Sequence, residues 1–305
     1  METYRSNGKL LLTGEYTVLD GALSLALPTK LGQTLVVEKN NSSQLTWKSI
    51  DEKGNIWFED CFNIDAILSK KDIPLSNNIS KRLLEILRAV NSLKPGFFNP
   101  KEGLSITTTL EFNRHWGLGT SSTLINNMSS WAKIDAYQLL KATFGGSGYD
   151  IACAQYNGSV LYQIQKNNNP LVRAIPFNPP FSHYLYFVYL NLKQNSREGI
   201  SSYRNLNKVN STVIDRVSAI TTDITKCKSL DQFNRLIIEH ETIISELIQQ
   251  EPIKQRLFND FDGEVKSLGA WGGDFILATS KNNPSDYFKS KGLDIVIPFS
   301  KMVLG

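Results

Sequence analysis

The spacing of apolar and polar residues changes period several times along the chain, and each change marks an element. In the first sixty positions the apolar residues fall in short β-prone runs at 10–12, 31–37, 45–48 and 56–58. Gly14, Gly21, Gly32 and a turn at 51–54 separate these runs. Ile79, Leu83, Ile86, Leu87 and Val90 then recur at helical spacing, which predicts an amphipathic helix over 77–93 stopped by Lys94-Pro95-Gly96. Leu104, Ile106, Thr108, Leu110 and Phe112 alternate with polar residues as in a half-exposed strand. Leu124, Met128 and Trp131 share one face of a helix beginning in Thr120-Ser121-Ser122, and Asp135 is placed to cap a further helix through Ala142.

A β run at 159–164 is followed by the polar stretch 165–169 and then Pro176 and Pro179-Pro180. A domain boundary is expected there, between 1–168 and 169–305. The second part predicts strands at 184–190, 275–279 and 294–297, and helices at 209–225, 230–249, 253–267 and 285–290. The charges of 253–266 are read as a solvated helix face. The fold class is α+β with two lobes.

Composition narrows the choice of function. Among 305 residues, 33 Lys+Arg face 29 Asp+Glu, and the net charge of +4 is too mild for a dedicated nucleic-acid binder. An apolar content of 41% excludes a disordered chain. Cys61, Cys153 and Cys227 form no Cys-x-x-Cys pair, and His115, His183 and His240 have no ligand partner at i+4, so neither a disulfide framework nor a zinc site is expected. The start METYRSNGKLLL lacks a cationic-then-apolar signal layout, and the most apolar run, 184–190, is far below the roughly 20 residues of a spanning helix. A cytoplasmic protein with neither membrane nor nucleic-acid partner is expected, as monomer or homodimer.

Candidate chemistry lies at three glycine clusters. In Trp116-Gly117-Leu118-Gly119-Thr120-Ser121-Ser122 the glycines let backbone approach an anion, hydroxyls offer donors, and the helix that follows presents unpaired N–H groups. A simple strand-to-helix turn with a Ser/Thr cap would have the same local sequence. GKLLLTGEYTVLDG, from Gly8 to Gly21, sets Lys9 and Glu15 among apolar positions, where charges are rarely buried unless paired. Asp150, in Ser147-Gly148-Tyr149-Asp150, is a candidate partner for Lys9. The third cluster is Lys266-Ser267-Leu268-Gly269-Ala270-Trp271-Gly272-Gly273-Asp274-Phe275.

Taken in chain order, 8–21, 116–122 and 266–275 resemble the first motif, the phosphate loop and the C-terminal glycine motif of the GHMP kinases, the family of galacto-, homoserine, mevalonate and phosphomevalonate kinases. The resemblance implies an N-terminal lobe like the second domain of ribosomal protein S5, a ferredoxin-like C-terminal lobe, and ATP bound between them with Mg²⁺. It implies transfer of the γ-phosphoryl group to a small acceptor. Gly117, Leu118, Gly119, Thr120, Ser121 and Ser122 would wrap the phosphates, with Ser121 as metal ligand, while Gly269, Gly272 and Gly273 would close the floor. Lys9 and Asp150 would be the catalytic pair, Asp150 taking the acceptor's proton. Glu15 and Tyr16 would stabilise the N-terminal turn and border the acceptor, and Lys193, Ser196 and Arg197 would meet its carboxylate or phosphate.

Gly-Glu-Tyr and Gly-Gly-Asp are similar to the phosphomevalonate kinase versions of the first and third motifs, whereas 191–198 is closer to a mevalonate kinase segment. A mevalonate-type acceptor is expected, either mevalonate or phosphomevalonate. Two departures stand out. Mevalonate kinases carry a second, magnesium-binding acid ahead of the Ser-Gly-x-Asp element, and 138–144 contains none. Trp271 stands where the family prefers glycine, able to narrow the nucleotide site, stack on a ligand or block a phosphate. The competing expectation is a nucleotide-binding sensor or subunit of the same fold with weakened catalysis.

Overall fold

A computed structural model describes residues 1–69, 77–166, 169–192, 196–205, 210–271 and 273–305. In chain order the elements begin with β1 (Glu2–Thr13), β2 (Ser24–Asn40), β3 (Gln44–Ile50), β4 (Ile56–Asn63), α1 (Ile64–Ser69), α2 (Asn78–Leu93) and β5 (Gly103–Leu110). Next come α3 (Thr120–Ala132), α4 (Ala136–Thr143), α5 (Tyr149–Gln155), β6 (Val160–Ile164), β7 (Pro170–Ala174) and β8 (Leu185–Tyr189). The chain continues through α6 (Ser196–Asn205), α7 (Ser211–Lys226), α8 (Leu230–Ile248), α9 (Ile253–Leu257) and β9 (Glu264–Ser267). It finishes with β10 (Phe275–Thr279), α10 (Ser285–Ser290), β11 (Val296–Pro298) and α11 (Phe299–Met302).

These elements form two compact units. The first comprises Met1–Gly8, Leu31–Arg114 and Gly119–Gln155, and the second comprises Lys9–Lys30, His115–Leu118 and Tyr156–Gly305. In the first unit β3 pairs antiparallel with β4 and parallel with β5, and β5 pairs antiparallel with β2. Alternation along β3 turns Leu45 and Trp47 inward, where they join Leu87 of α2, Ile106 of β5, Ile125 of α3 and Leu139 of α4 in one core. Truncating a side chain as buried as Leu87 to Ala would cost about 2–5 kcal/mol. The predicted helix starts have physical caps: the Asn77 side chain accepts from the N–H groups of Ile79 and Ser80, and Asp135 from those of Tyr137 and Gln138.

In the second unit, the early part of β2 pairs with β6, which pairs with β7. A separate antiparallel sheet has the order β11-β8-β10-β9. Helices join β8 to β9 and β10 to β11, which gives the ferredoxin-like arrangement expected for the C-terminal part.

The expected helix over 253–267 is corrected. Helix α9 stops at Leu257, and Glu264–Ser267 is a strand in which Lys266 pairs with Leu277. The turn-forming run Asn259-Asp260-Phe261-Asp262-Gly263 interrupts the helix, and Lys266, read as part of a solvated face, has no exposed surface. Strand β7 and helices α1, α6 and α11 were not predicted. All are ten residues or shorter. No helix among the described residues is long and apolar enough to cross a membrane.

Candidate active site

The first glycine segment turns sharply at Tyr16. Its backbone has φ 60° and ψ −49°, and the Thr17 N–H donates to the Glu15 carbonyl at 2.6 Å, which together make a strained γ-turn. Four contacts within the second unit hold it. Glu15 forms an ion pair with Lys266, both fully buried. The Gly14 N–H donates to His240 Nε2 at 2.9 Å, the Tyr16 hydroxyl donates to the Ala270 carbonyl at 3.1 Å, and the Tyr16 ring stacks on Tyr203 with centroids 5.3 Å apart. Tyr203 in turn donates to Asp20 at 2.6 Å. Strain of this kind persists only where the surroundings over-determine it.

The ion pair lies in a larger buried cluster. His240 Nε2 is 3.4 Å from Glu15 Oε2, and Glu241 accepts from the Ser267 N–H and, at 2.8 Å, from its hydroxyl. Burial pushes the Glu15 carboxyl up to about 7, against the opposing pull of Lys266. Burial also raises Glu241, and burial followed by the Lys266 charge takes His240 well below the ordinary imidazole value. His240 is therefore a neutral acceptor at Nε2. Sequence reasoning missed Lys266, His240 and Glu241. The available signal was that a Glu at an apolar position, as at Glu15, demands a buried partner.

The second segment meets the first through Lys9. Its backbone N–H donates to the Leu118 carbonyl at 2.9 Å and its Nζ to the Gly117 carbonyl at 2.6 Å. Gly117 has φ 66°, and a Cβ built there would fall on the carboxyl group of Asp274. Only glycine meets both demands. Asp274 lies near the end of the third segment at φ 56°, its N–H bonded to the Leu192 carbonyl at 2.6 Å and its carbonyl to the Leu190 N–H at 2.8 Å. Trp116 packs edge-on against Phe275, with centroids 5.5 Å apart.

In the first unit, Gly119 begins α3 in a left-handed conformation, and no side chain caps this end. The helix dipole and its leading amides are thus open to an anion. Ser121 is exposed. Ser122 is buried and donates to the Gly119 carbonyl at 3.0 Å, and Thr123 donates to Gln33 at 2.7 Å, so these two hydroxyls hold the turn. Asp150 stands half-buried in the first turn of α5, which starts after Gly148, and its carboxylate accepts the Ile151 N–H at 3.1 Å. Among the described residues no trio of His, Cys, Asp or Glu is gathered as a metal cage.

No family model and no curated protein matches the sequence. Solved structures match over almost the whole chain. The mevalonate kinase of Methanococcus jannaschii is 17% identical with a TM-score of 0.70, covering 97% of this chain and 96% of that one. Streptococcus pneumoniae phosphomevalonate kinase in complex with phosphomevalonate and AMPPNP is 15% identical with a TM-score of 0.69, covering 95% of each. Lactococcus lactis galactokinase complexed with galactose is 14% identical with a TM-score of 0.68, covering 95% of this chain and 88% of that one. The chain has the GHMP kinase fold.

On this GHMP kinase fold, the remaining expected residues fall as follows. Glu15, expected at the acceptor's border, is fully buried and committed to Lys266, while Tyr16 is 7% exposed. Gly273 is buried beside the strained Asp274. Gly272 and Lys193 lie outside the described residues. Ser196 and Arg197 form the start of α6 by their backbone, and their side chains fall outside the described set. Trp271, at φ 42°, buries its indole with Tyr16, Ala22, Tyr203, Val217, Ile244 and Leu247. Its bulk fills the core of the second unit.

Proposed function

We propose that the protein is an ATP-dependent small-molecule kinase acting on a mevalonate-type acceptor, mevalonate or phosphomevalonate. The observation that carries this reading is the bond from Lys9 Nζ to the Gly117 carbonyl, which joins the first glycine segment to the phosphate-binding segment on a GHMP kinase fold. The open N-terminus of α3 and the exposed Ser121 suit a nucleotide phosphate with its magnesium ion. Galactokinase shares the fold, so the acceptor class rests on Gly14-Glu15-Tyr16 and Gly272-Gly273-Asp274.

In the proposed reaction the amides of Gly117, Leu118, Gly119, Thr120, Ser121 and Ser122 receive the phosphates, and Gly272 and Gly273 close on them. Ser121 offers its hydroxyl to magnesium, which supplies charge neutralisation on the transferring oxygens when bound. Asp150 orients the acceptor hydroxyl and takes its proton as the new O–P bond forms and the bond from the γ-phosphorus to ADP breaks. Lys9 stabilises Asp150 as an anion and the charge developing on the phosphoryl group. Glu15 holds the turn that brings Tyr16 to the acceptor's border, where Lys193, Ser196 and Arg197 receive its anionic group. Incubation with ATP, magnesium and each acceptor, with ADP release followed, tests this function.

A second reading, a nucleotide-binding protein with weakened turnover, is favoured by one observation. Asp135, the acid nearest ahead of Asp150, has its carboxylate committed to two N–H groups of α4. If this reading holds, Asp150→Asn leaves cellular function intact. The kinase reading predicts that the same variant loses function while still binding ATP.

A further inference from the structure

Two carboxylates and one ammonium group are enclosed within the second unit. Glu15, Lys266 and His240 have no exposed surface, and Glu241 is 4% exposed. The turn after β1 brings Glu15, β9 brings Lys266, and α8 brings His240 and Glu241, while α7 adds the Thr221 hydroxyl, 2.7 Å from that of Thr13. With both acids ionised, Lys266 balances one of them and a net negative charge remains away from water. Proteins resolve such a charge by taking up a proton.

Hydrogen-bond directions distinguish the two acids. Both oxygens of Glu241 accept the Ser267 N–H at 3.1 Å, and Oε1 also accepts the Ser267 hydroxyl at 2.8 Å and the Ile253 N–H at 3.4 Å. An acid that only accepts is placed as an ionised carboxylate. Glu15 is placed differently. Its Oε1 accepts from Lys266, which also donates to the Ser267 carbonyl at 2.8 Å. Its Oε2 has no hydrogen-bond partner among the described residues and stands 3.4 Å from His240 Nε2. That nitrogen already accepts the Gly14 N–H, so an ionised Glu15 sets two lone-pair atoms against each other. A proton on Oε2 turns this opposition into an O–H···N bond. Burial acts in the same sense, raising the Glu15 carboxyl against the pull of Lys266.

We infer that Glu15 and His240 form a proton-operated latch on the strained turn at Tyr16. Glu15 Oε2 holds one proton and donates it to His240 Nε2. Release of that proton to water leaves two acceptors in opposition and loosens the Gly14 N–H from the same nitrogen. Because the folded protein holds the proton more tightly than an unfolded chain does, the latch is closed on the acid side and opens as pH rises through neutrality. The latch is independent of the reaction proposed above.

NMR of the full protein labelled with ¹³C-glutamate reads the protonation at the Glu15 carboxyl carbon. The expected midpoint lies between pH 6 and pH 8, against about 4.3 for an ordinary glutamate, and a midpoint outside that range overturns the latch. Amide hydrogen exchange reads the consequence at the turn. Corrected for intrinsic exchange, protection of the Gly14 N–H is expected to fall at least about fivefold from pH 6 to pH 8 relative to the amides of β10. A smaller relative fall overturns the latch. Glu15→Gln copies the protonated form, its side-chain amide donating to Nε2 and its carbonyl accepting from Lys266. It is expected to hold relative Gly14 protection within about twofold over the same range, and a larger fall overturns the latch by assigning the change to another group. If Glu15→Gln fails to fold, the two measurements on the unaltered protein decide.

Discussion

Glu15 and Lys266 stand 251 positions apart and form an ion pair in which neither side chain has any exposed surface. The pair links the strained turn at Tyr16 to β9, the strand that leads into the third glycine segment. Removing one partner leaves the other as an uncompensated buried charge. Lys266→Met is therefore expected to destabilise the protein by about 3–5 kcal/mol, and the Glu15→Gln/Lys266→Met double variant by less than the sum of the single changes. Urea unfolding of the four proteins measures the coupling.

The neighbouring groups give stability a particular pH dependence. His240 is held well below its ordinary pKa, so its contribution is present above about pH 6.5 and is lost as pH falls, when the unfolded chain takes up the proton. Glu15, raised to about 7, works oppositely: its contribution is full below about 4.5 and is lost as pH rises through 7. Glu241, also raised, adds in the same direction as Glu15. His240→Gln can still accept the Gly14 N–H. It should remove the acid-side loss, up to about 1.4 kcal/mol per pH unit below 6.5. Denaturant midpoints at pH 5.5, 6.5 and 7.5 read this directly, and a parallel shift at all three values contradicts it.

Gly117 is constrained by its left-handed backbone and by the Asp274 carboxyl group. Gly117→Ala should weaken AMPPNP binding at least tenfold, through about 1–2 kcal/mol of backbone strain and the added overlap. Combining it with Asp274→Gly removes the overlap and leaves the strain, so metal-free AMPPNP binding should recover in part. Calorimetry in EDTA distinguishes partial recovery from none.

Trp271 buries its indole in the apolar cluster of Tyr16 and Tyr203. Glycine there relieves the positive φ but empties the core. Trp271→Gly is expected to lose about 3–5 kcal/mol of stability, with no gain in nucleotide affinity. Tighter AMPPNP binding in that variant would show instead that the indole obstructs the nucleotide.

Much of this was legible from local pattern. Helix α2 follows from Ile79, Leu83, Ile86, Leu87 and Val90, and its start from Asn77, because period and cap are encoded within one turn of each other. The three glycine segments stood out as candidates because their residue types and order are unusual for structural turns. Lys266 was misplaced because its pattern is that of a surface charge; only the burial of Glu15, far away in sequence, explains it. Asp274 was visible as part of a motif, but its approach to Gly117 depends on β8 and β10 pairing in register. The indole of Trp271 was weighed as a ligand contact because nothing local announces the hydrophobic cluster that receives it.

The most direct test of the account is ADP release by the purified protein with ATP, magnesium and either mevalonate or phosphomevalonate, beside Asp150→Asn. The account predicts acceptor-dependent release with one of the two, lowered about 10²–10⁴-fold in Asp150→Asn while AMPPNP still binds. Nucleotide binding without turnover on either acceptor, or full turnover by Asp150→Asn, would contradict it.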